Sequence, residues 1–598
     1  MRTWYGNQYC FTLNLPFLRF KNLLPILEWL PTYNKSDFRG DLIASITVAI
    51  MLVPQGMAYA FLAGMPPIYG LYGGLVPLAL YAVLGTSRQL SIGPVAVSAL
   101  LVLAGVCQIE APGCEAYIEL VILAGLLIGL CQFLLGVLRM GFLINFLSHP
   151  VLVGFTSAAA IIIGVSQLKD LLGFEIPRFT HTYETFWYAV QHLGETNWIA
   201  VLMCLGSLAV ILTLRAIKKS LPGALIVVVV GTLLAWGLNL EEFGLDIIKG
   251  VPEGLPAFTI PEITFENIRQ LIPVVLTVSI IGIVESISIA KVLESKHSNY
   301  DVRPNQELLA LGLSKIGGAF FQSLPTSASF TRSAVNNDAG ARTGMSSLIT
   351  VLFITLTLLF LTPLFYYLPK AVLAAIILLA LKSLFDFKGA MYLWKTHKQD
   401  FAMMLLTFVV TLVSGIEHGV LTGVVVSILA VLYRSSNPHI VVLGKIPGTT
   451  SYRNVKRFET EDLPEGIVAI RFDDQLYFAN ANQFKDSIKS LVKNRKNEIE
   501  ALILDAGSIH EMDSSGLHVF EEVYSFLKRK NISFYLTGTI GPVRDLLAKS
   551  ELMGKIGPYN QFLKTHDVVT YHQSKKSKGT PPPGWTVDAI QTNLNEED

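Results

Sequence analysis

Ser91-Ile92-Gly93-Pro94-Val95-Ala96-Val97-Ser98 and Pro325-Thr326-Ser327-Ala328-Ser329-Phe330-Thr331-Arg332-Ser333 are two short segments marked by Gly, Pro and Ser, set among long apolar runs. Crossing a bilayer takes about 20 apolar residues, and neither stretch makes a clean span. They fall at comparable places in two halves of the chain, one beginning near Asp41, the other near Asn267. Each half opens on a long span with a polar residue about two-thirds along: Gln55 in the first, Glu285 in the second. Short interrupted segments at matching places in two halves point to a transport site near the membrane midplane.

The surrounding chain supports that setting. Of 598 residues, 52% are hydrophobic and 15% charged, against roughly 25% charged in soluble domains. The apolar excess runs from about Asp41 to Tyr433. Clear spans are Leu42–Tyr59, Leu71–Leu84, Ile118–Leu138, Val151–Gln167, Trp198–Leu214, Ala224–Leu240, Ile272–Ala290, Ser347–Leu361, Ala371–Leu384, Phe401–Ser414 and Val420–Leu432. Ser91–Val106, Leu308–Phe321 and Ser327–Ala339 are shorter or more polar, and with them the count is about fourteen. Alternate connections carry Arg88; Arg139; Arg215, Lys218 and Lys219; Lys291, Lys296 and Arg303; Arg342; and Lys382, Lys388, Lys395 and Lys398. This positive-inside pattern predicts two cytosolic termini. Lys169, Arg178, Lys249, Arg269 and Lys370 break it.

Residues 1–40 read as a cytosolic lead-in, 41–436 as the membrane domain, 437–463 as a linker and 464–572 as a small α/β domain. The Pro581-Pro582-Pro583 run and scarce large apolar residues predict disorder over 573–598. In the α/β domain, Ile467–Phe472, Ala501–Leu504 and Ile532–Leu536 read as strands, and Ala481–Leu491, Ser515–Arg529 and the segment opened by Pro542 as helices. A net charge of +1 gives no field for nucleic acid. Cys10, Cys107, Cys114, Cys131 and Cys204 lack metal-ligand spacing; Cys107 and Cys114 flank one polar break, as a disulfide or as two free thiols. No nucleophile–base pair, metal cluster or phosphate loop stands out, so neither an enzyme nor a cofactor is expected.

Two helix starts facing one point, near Pro94 and near Ser327–Ser329, would present free N–H groups and positive dipole ends to an anion. The alternative is a pair of proline-kinked helices packed through small residues. Glu285, among Val284, Ile287 and Ile289, is an intramembrane acid, costly when ionised and functional by default; the bland reading is a structural hydrogen bond or ion pair. Its neighbours Ser286 and Ser288 read as packing residues. Arg332 either supplies positive charge to an anion pocket, pairing with Glu285 when that residue is ionised, or snorkels to water. Gln55 and Tyr59 share one helix face. Ser514 and Ser515, in Asp513-Ser514-Ser515-Gly516, open a helix where a phosphate is favourable, though ordinary capping explains them too.

The runs Val53-Pro54-Gln55-Gly56-Met57-Ala58-Tyr59-Ala60 and Pro66-Pro67-Ile68-Tyr69-Gly70-Leu71-Tyr72 resemble the signature of sulfate permeases, the SulP group of solute carrier family 26. Ser91-Ile92-Gly93-Pro94 and Ser329-Phe330-Thr331-Arg332-Ser333 resemble its third- and tenth-helix motifs, continued by Asn336 and Gly340-Ala341-Arg342-Thr343-Gly344. The soluble part resembles a STAS domain, with Ser514 and Ser515 in its regulatory loop. The resemblance runs from about Asp37 to about Thr570 and implies an α-helical polytopic membrane protein: fourteen spans, a 7+7 inverted repeat, core and gate domains, and a homodimer. It implies an anion held by Gln55, Tyr59, Val95, Ser329, Thr331 and Arg332, with an elevator-like movement of the core. Glu285 matches an acidic position where Glu resembles proton-coupled and Asp sodium-coupled carriers. Proton–sulfate symport in the cell membrane is therefore expected, with membrane lipids and a STAS-binding protein as further partners. Bicarbonate or another monovalent or dicarboxylate anion, an anion channel, and a STAS-based signalling scaffold are the rivals.

Overall fold

The computed structural model describes residues 24–142, 148–177, 179, 181–217, 223–249, 254–297, 299–494 and 499–576. Cys10, Arg178, Lys218, Lys219 and the Pro581–Pro583 run lie outside them. The chain divides into two compact units, Met1–Ser427 and Ile428–Asp598.

The first unit is helical. In chain order its principal helices are α1 Lys35–Leu62, α2 Val76–Leu84, α3 Ala96–Val106, α4 Glu115–Val137, α5 His149–Ser166, α6 Trp198–Ile217, α7 Gly223–Gly237, α8 Phe265–Glu294, α9 Pro304–Phe320, α10 Phe330–Asp338, α11 Met345–Phe360, α12 Lys370–Leu384, α13 Lys398–Ser414 and α14 Ile416–Ser436, which ends beyond the unit boundary. α1 starts on a reciprocal cap: the Asn34 side chain accepts from the Ser36 and Asp37 N–H groups, and Asp37 accepts from the Asn34 N–H. Pro54 sits inside α1 without ending it. The span expected over Leu71–Leu84 is broken: a one-turn helix, Ile68–Tyr72, precedes α2, and Gly73-Gly74-Leu75 separates them. The one-turn helix packs backbone to backbone on α1, since a Cβ on Gly70 would lie 1.9 Å from the Gly56 carbonyl oxygen. Leu202, Phe360 and Leu421 are at least 64% exposed on helices of this unit. Such faces suit acyl chains rather than water.

The packing repeats after seven helices. α1 touches α3, α10 and α11, while α8 touches α10, α3 and α4. α2 touches α9 and α11, while α9 touches α2 and α4. α5 meets α13 as α12 meets α6. Exchanging each helix for the one seven places away converts one set into the other. Two bundles result: α1–α4 with α8–α11, and α5–α7 with α12–α14.

Two buried carboxylates tie helices of one half to loops of the other. Asp41 on α1 accepts from the Arg342 N–H (2.7 Å), the Thr343 N–H (3.1 Å) and the Thr343 hydroxyl (2.6 Å). Glu307 on α9 accepts from the Tyr81 hydroxyl (2.7 Å), the Thr86 N–H (2.7 Å) and hydroxyl (2.5 Å) and the Ser87 N–H (3.2 Å). Neither carboxylate reaches solvent. Two of the lysines that break the charge pattern have acidic partners: Lys249 with Glu241 and Lys370 with Asp246. No disulfide joins Cys107 to Cys114.

The second unit holds a six-stranded sheet in the order β4-β3-β5-β6-β7-β8. β3 is Ile440–Lys445, β4 Tyr452–Asn454, β5 Ile467–Phe472, β6 Ala501–Asp505, β7 Ser533–Thr537 and β8 Gln561–Phe562. β5 to β8 run parallel, and β3 is antiparallel to β5. Strand alternation divides the core. Val468, Ile470, Phe472, Leu502, Leu504, Phe534 and Leu536 face helices α15 Ala481–Asn494 and α16 Ser514–Arg529. Ile467, Ala469, Ala501, Ile503 and Tyr535 face α17 Thr565–Lys576. That last helix corrects one expectation, because it carries regular structure through residues 573–576. Its Val568 and Val569 are buried against the sheet, which anchors it.

Replacing Glu307 by Ala strands four buried donors. It should cost about 3–5 kcal/mol and lower the thermal midpoint of the detergent-solubilised protein. Glu307→Gln, which keeps an acceptor oxygen, should lose less. Equal midpoints for Glu307→Ala and the wild type would contradict the clamp.

Candidate functional site

The two short segments singled out in the sequence meet. Ile92–Gly93 (β1) pairs antiparallel with Ser327–Ala328 (β2), Ile92 opposite Ala328 and Gly93 opposite Ser327. An antiparallel pair is two-fold symmetric, so the halves cross in opposite directions here. Each strand feeds a helix, β1 into α3 and β2 into α10. The Ser329 N–H donates to the Ser91 carbonyl oxygen (3.1 Å), extending the pairing.

The helix starts differ in chemistry. α3 begins on Val95, whose side chain accepts no hydrogen bond, so its first-turn N–H groups have no side-chain cap. Pro94 lies one residue before that cap, outside the first helical turn that the fixed φ of proline would suit. Its place is set by its carbonyl, which accepts from Nη1 of Arg332 (2.8 Å). α10 begins on Ser329, whose hydroxyl accepts from the Arg332 N–H (3.3 Å).

Arg332 is 0% exposed and does not snorkel. Its side chain crosses to the opposite half, and Nε and Nη2 have no hydrogen-bond partner. A Cβ on Gly93 would lie 3.1 Å from Nη2, so glycine gives the guanidinium its room. A buried cation with open donors is expensive unless an anion completes it. Tyr59 and Glu285 both lie within electrostatic reach of Arg332. Tyr59 is buried, and Glu285 is partly exposed with its Oε2 enclosed and without a hydrogen-bond partner. Gln55 is partly buried with Oε1 likewise unpartnered. Thr331 is half-buried in the first turn of α10.

The sequence reading undervalued four polar residues. Ser286 holds β2: its hydroxyl accepts from the Ala328 N–H (3.2 Å) and lies 3.3 Å from the Ser327 hydroxyl. The Ser333 hydroxyl accepts from the Ser91 N–H (2.9 Å), fixing β1. Lys315 and Gln132 form a buried pair between α9 and α4. A lysine within an apolar span was the available signal for that pair; the serines carried none, since small hydroxyls are common in helix packing.

In the second unit, Asp513 caps α16, accepting from the Gly516 N–H (2.7 Å) and the Phe478 N–H (3.0 Å). Ser514 and Ser515 are exposed in the first turn. Asp505 lies at the end of β6, where burial pushes its carboxyl above the usual range against the opposing pull of the Gly507 N–H.

Two helix starts meet at a strand pair with a buried, part-satisfied guanidinium between them, an arrangement of N–H groups and positive charge that suits a small anion in a membrane protein. Comparisons with known proteins agree. Residues 38–407 match the sulfate permease family, and residues 462–568 match the STAS domain. Sulfate transporter 4.1, chloroplastic, of Arabidopsis thaliana is 39% identical over 92% of this chain and 82% of its own length. High affinity sulfate transporter 2 of Stylosanthes hamata is 34% identical over 93% of this chain and 87% of its own. The structure of the murine Slc26a9 anion transporter in the inward-facing state superposes with TM-score 0.87 at 26% identity, covering 95% of this chain and 97% of its own. The chain belongs to the sulfate permease family: it is a multi-pass membrane transporter of anions with a STAS domain, and not an enzyme.

Ser333→Ala leaves the Ser91 N–H without its acceptor in a buried crossing. The expected cost is about 1–3 kcal/mol, read as a lower thermal midpoint. An unchanged midpoint would mean that β1 is not held through this hydroxyl.

Proposed function

We propose that the protein takes up sulfate with protons, carrying the anion at the β1–β2 crossing. One observation carries the reading: Arg332 lies buried beside two helix starts with Nε and Nη2 unpartnered. The names of the similar transporters favour sulfate as the anion. Val95, Ser329 and Thr331 supply the helix-start environment, Arg332 the fixed charge, and Gln55 and Tyr59 the polar wall. Glu285 is the proton site. Ionised, its charge opposes the entry of a dianion or pairs with Arg332; protonated, it allows the dianion to bind. The coupling is reciprocal, so bound sulfate favours protonation in turn. The bundle that carries the crossing, α1–α4 with α8–α11, then moves against the other in an elevator-like step.

The same reading places the protein in the cell membrane as a homodimer, lipid-surrounded, with both termini cytosolic. Ser514 or Ser515 accepts a regulatory phosphate where a STAS-binding partner docks. The helix start favours that phosphate, while the Asp513 carboxylate beside it limits the gain.

Uptake of labelled sulfate into proteoliposomes tests the assignment. For the wild type, uptake rises as the outside is acidified. Glu285→Gln should flatten that dependence and abolish accumulation against a gradient, while sulfate–sulfate exchange continues. Arg332→Ala should weaken sulfate binding on the order of 100-fold, the loss of about 3 kcal/mol of charge-assisted contact. Full proton-driven accumulation by Glu285→Gln sinks the role given to that residue.

A further inference from the structure

Lys315 is 4% exposed on α9 and belongs to the same bundle as the anion crossing. Its Nζ donates to Oε1 of Gln132 on α4 (2.8 Å), its one hydrogen-bond partner among the described residues. The Gln132 amide nitrogen donates to the Ser279 carbonyl oxygen of α8 (3.2 Å), which leaves the amide oxygen turned toward the lysine. Among the described residues no carboxylate forms an ion pair with Lys315. The other buried acids of this bundle are committed: Asp41 to Arg342 and Thr343, Glu307 to Tyr81, Thr86 and Ser87.

The pair lies close to the crossing. A Cβ on Gly282 would stand 3.5 Å from the Gln132 amide nitrogen and 3.6 Å from the Ser327 hydroxyl of β2. A single glycine therefore separates the Lys315–Gln132 pair from the strand that leads into α10. Charge buried at membrane depth is kept only where something neutralises it. The protein supplies no anion for Lys315, but the cargo can.

We propose that Lys315 is a specificity-determining residue that matches the transport site to a divalent anion. The inference rests on the proposed sulfate–proton reading and deepens it. With Glu285 protonated, Arg332 and Lys315 are the two buried basic side chains of this bundle among the described residues, and both attract the bound anion. Through-space attraction scales with the anion's charge, so Lys315 discriminates without touching it.

The test compares uptake of labelled sulfate and labelled nitrate into proteoliposomes holding the full chain. Lys315→Gln should lower the sulfate-to-nitrate ratio about tenfold. Lys315→Arg, which keeps the charge, should preserve it. Gln132→Glu keeps the lysine but gives it an internal counter-charge, and should lower the ratio as Lys315→Gln does. Thermal midpoints report folding separately. A wild-type ratio in both Lys315→Gln and Gln132→Glu overturns the proposal. So does equal loss of both anions in Lys315→Gln and Lys315→Arg, which would mark a packing role. If the wild type shows no proton-driven sulfate uptake, the underlying reading fails first, whatever the variants do.

Discussion

The first unit depends on bringing a buried guanidinium from one half of the chain to a broken backbone in the other. Arg332 starts from α10, passes Gly93 and gives Nη1 to the Pro94 carbonyl. In hydrocarbon neither a free carbonyl nor a bare cation is tolerated. Irregular backbone between β1 and α3 therefore exists only because the opposite half satisfies it. The β1–β2 ladder, the Ser91–Ser333 bond and the Ser286–Ala328 bond serve the same need. What remains unsatisfied, two guanidinium donors and the uncapped start of α3, is what an anion can use.

That constraint accounts for the helices around the crossing. Broken helices at membrane depth need cover on all sides, and α1 and α8 supply it, each touching both α3 and α10. The long helices bring the polar residues: Gln55 and Tyr59 from α1, Glu285 and Ser286 from α8. α4 and α9 pack closely enough that a Cβ on Gly312 would lie 2.5 Å from the Phe133 nitrogen. The same contact encloses the Lys315–Gln132 pair. Carboxylate clamps at Asp41 and Glu307 sit where loops meet helices, so the bundle can hold charges centrally and remain one body.

Much of this was legible from the chain. Strand and helix in the second unit follow alternation and amphipathic period, and Ile467–Phe472 forms a strand over the span expected for it. Spans of the first unit follow length and hydropathy. The break before α2 was not legible, because Gly73 and Gly74 interrupt a run that stays apolar. Capping at Ser329 was readable from its hydroxyl, whereas Val95 as the start of α3 was not, since valine offers no cap. Ser286 and Ser333 gave no signal because their importance lies in one backbone N–H each, donated from far along the chain.

By itself the sequence determined the membrane setting, the two halves, the α/β domain and the residues able to bear charge, because these follow from local hydropathy and side-chain chemistry. Only the tertiary structure decided which charges share a space. Arg332 and Pro94 are 238 residues apart, as are no two groups that periodicity can relate. Whether an arginine snorkels to water or lies buried against a carbonyl depends on what the other half of the chain places around it, and that is a property of packing in three dimensions.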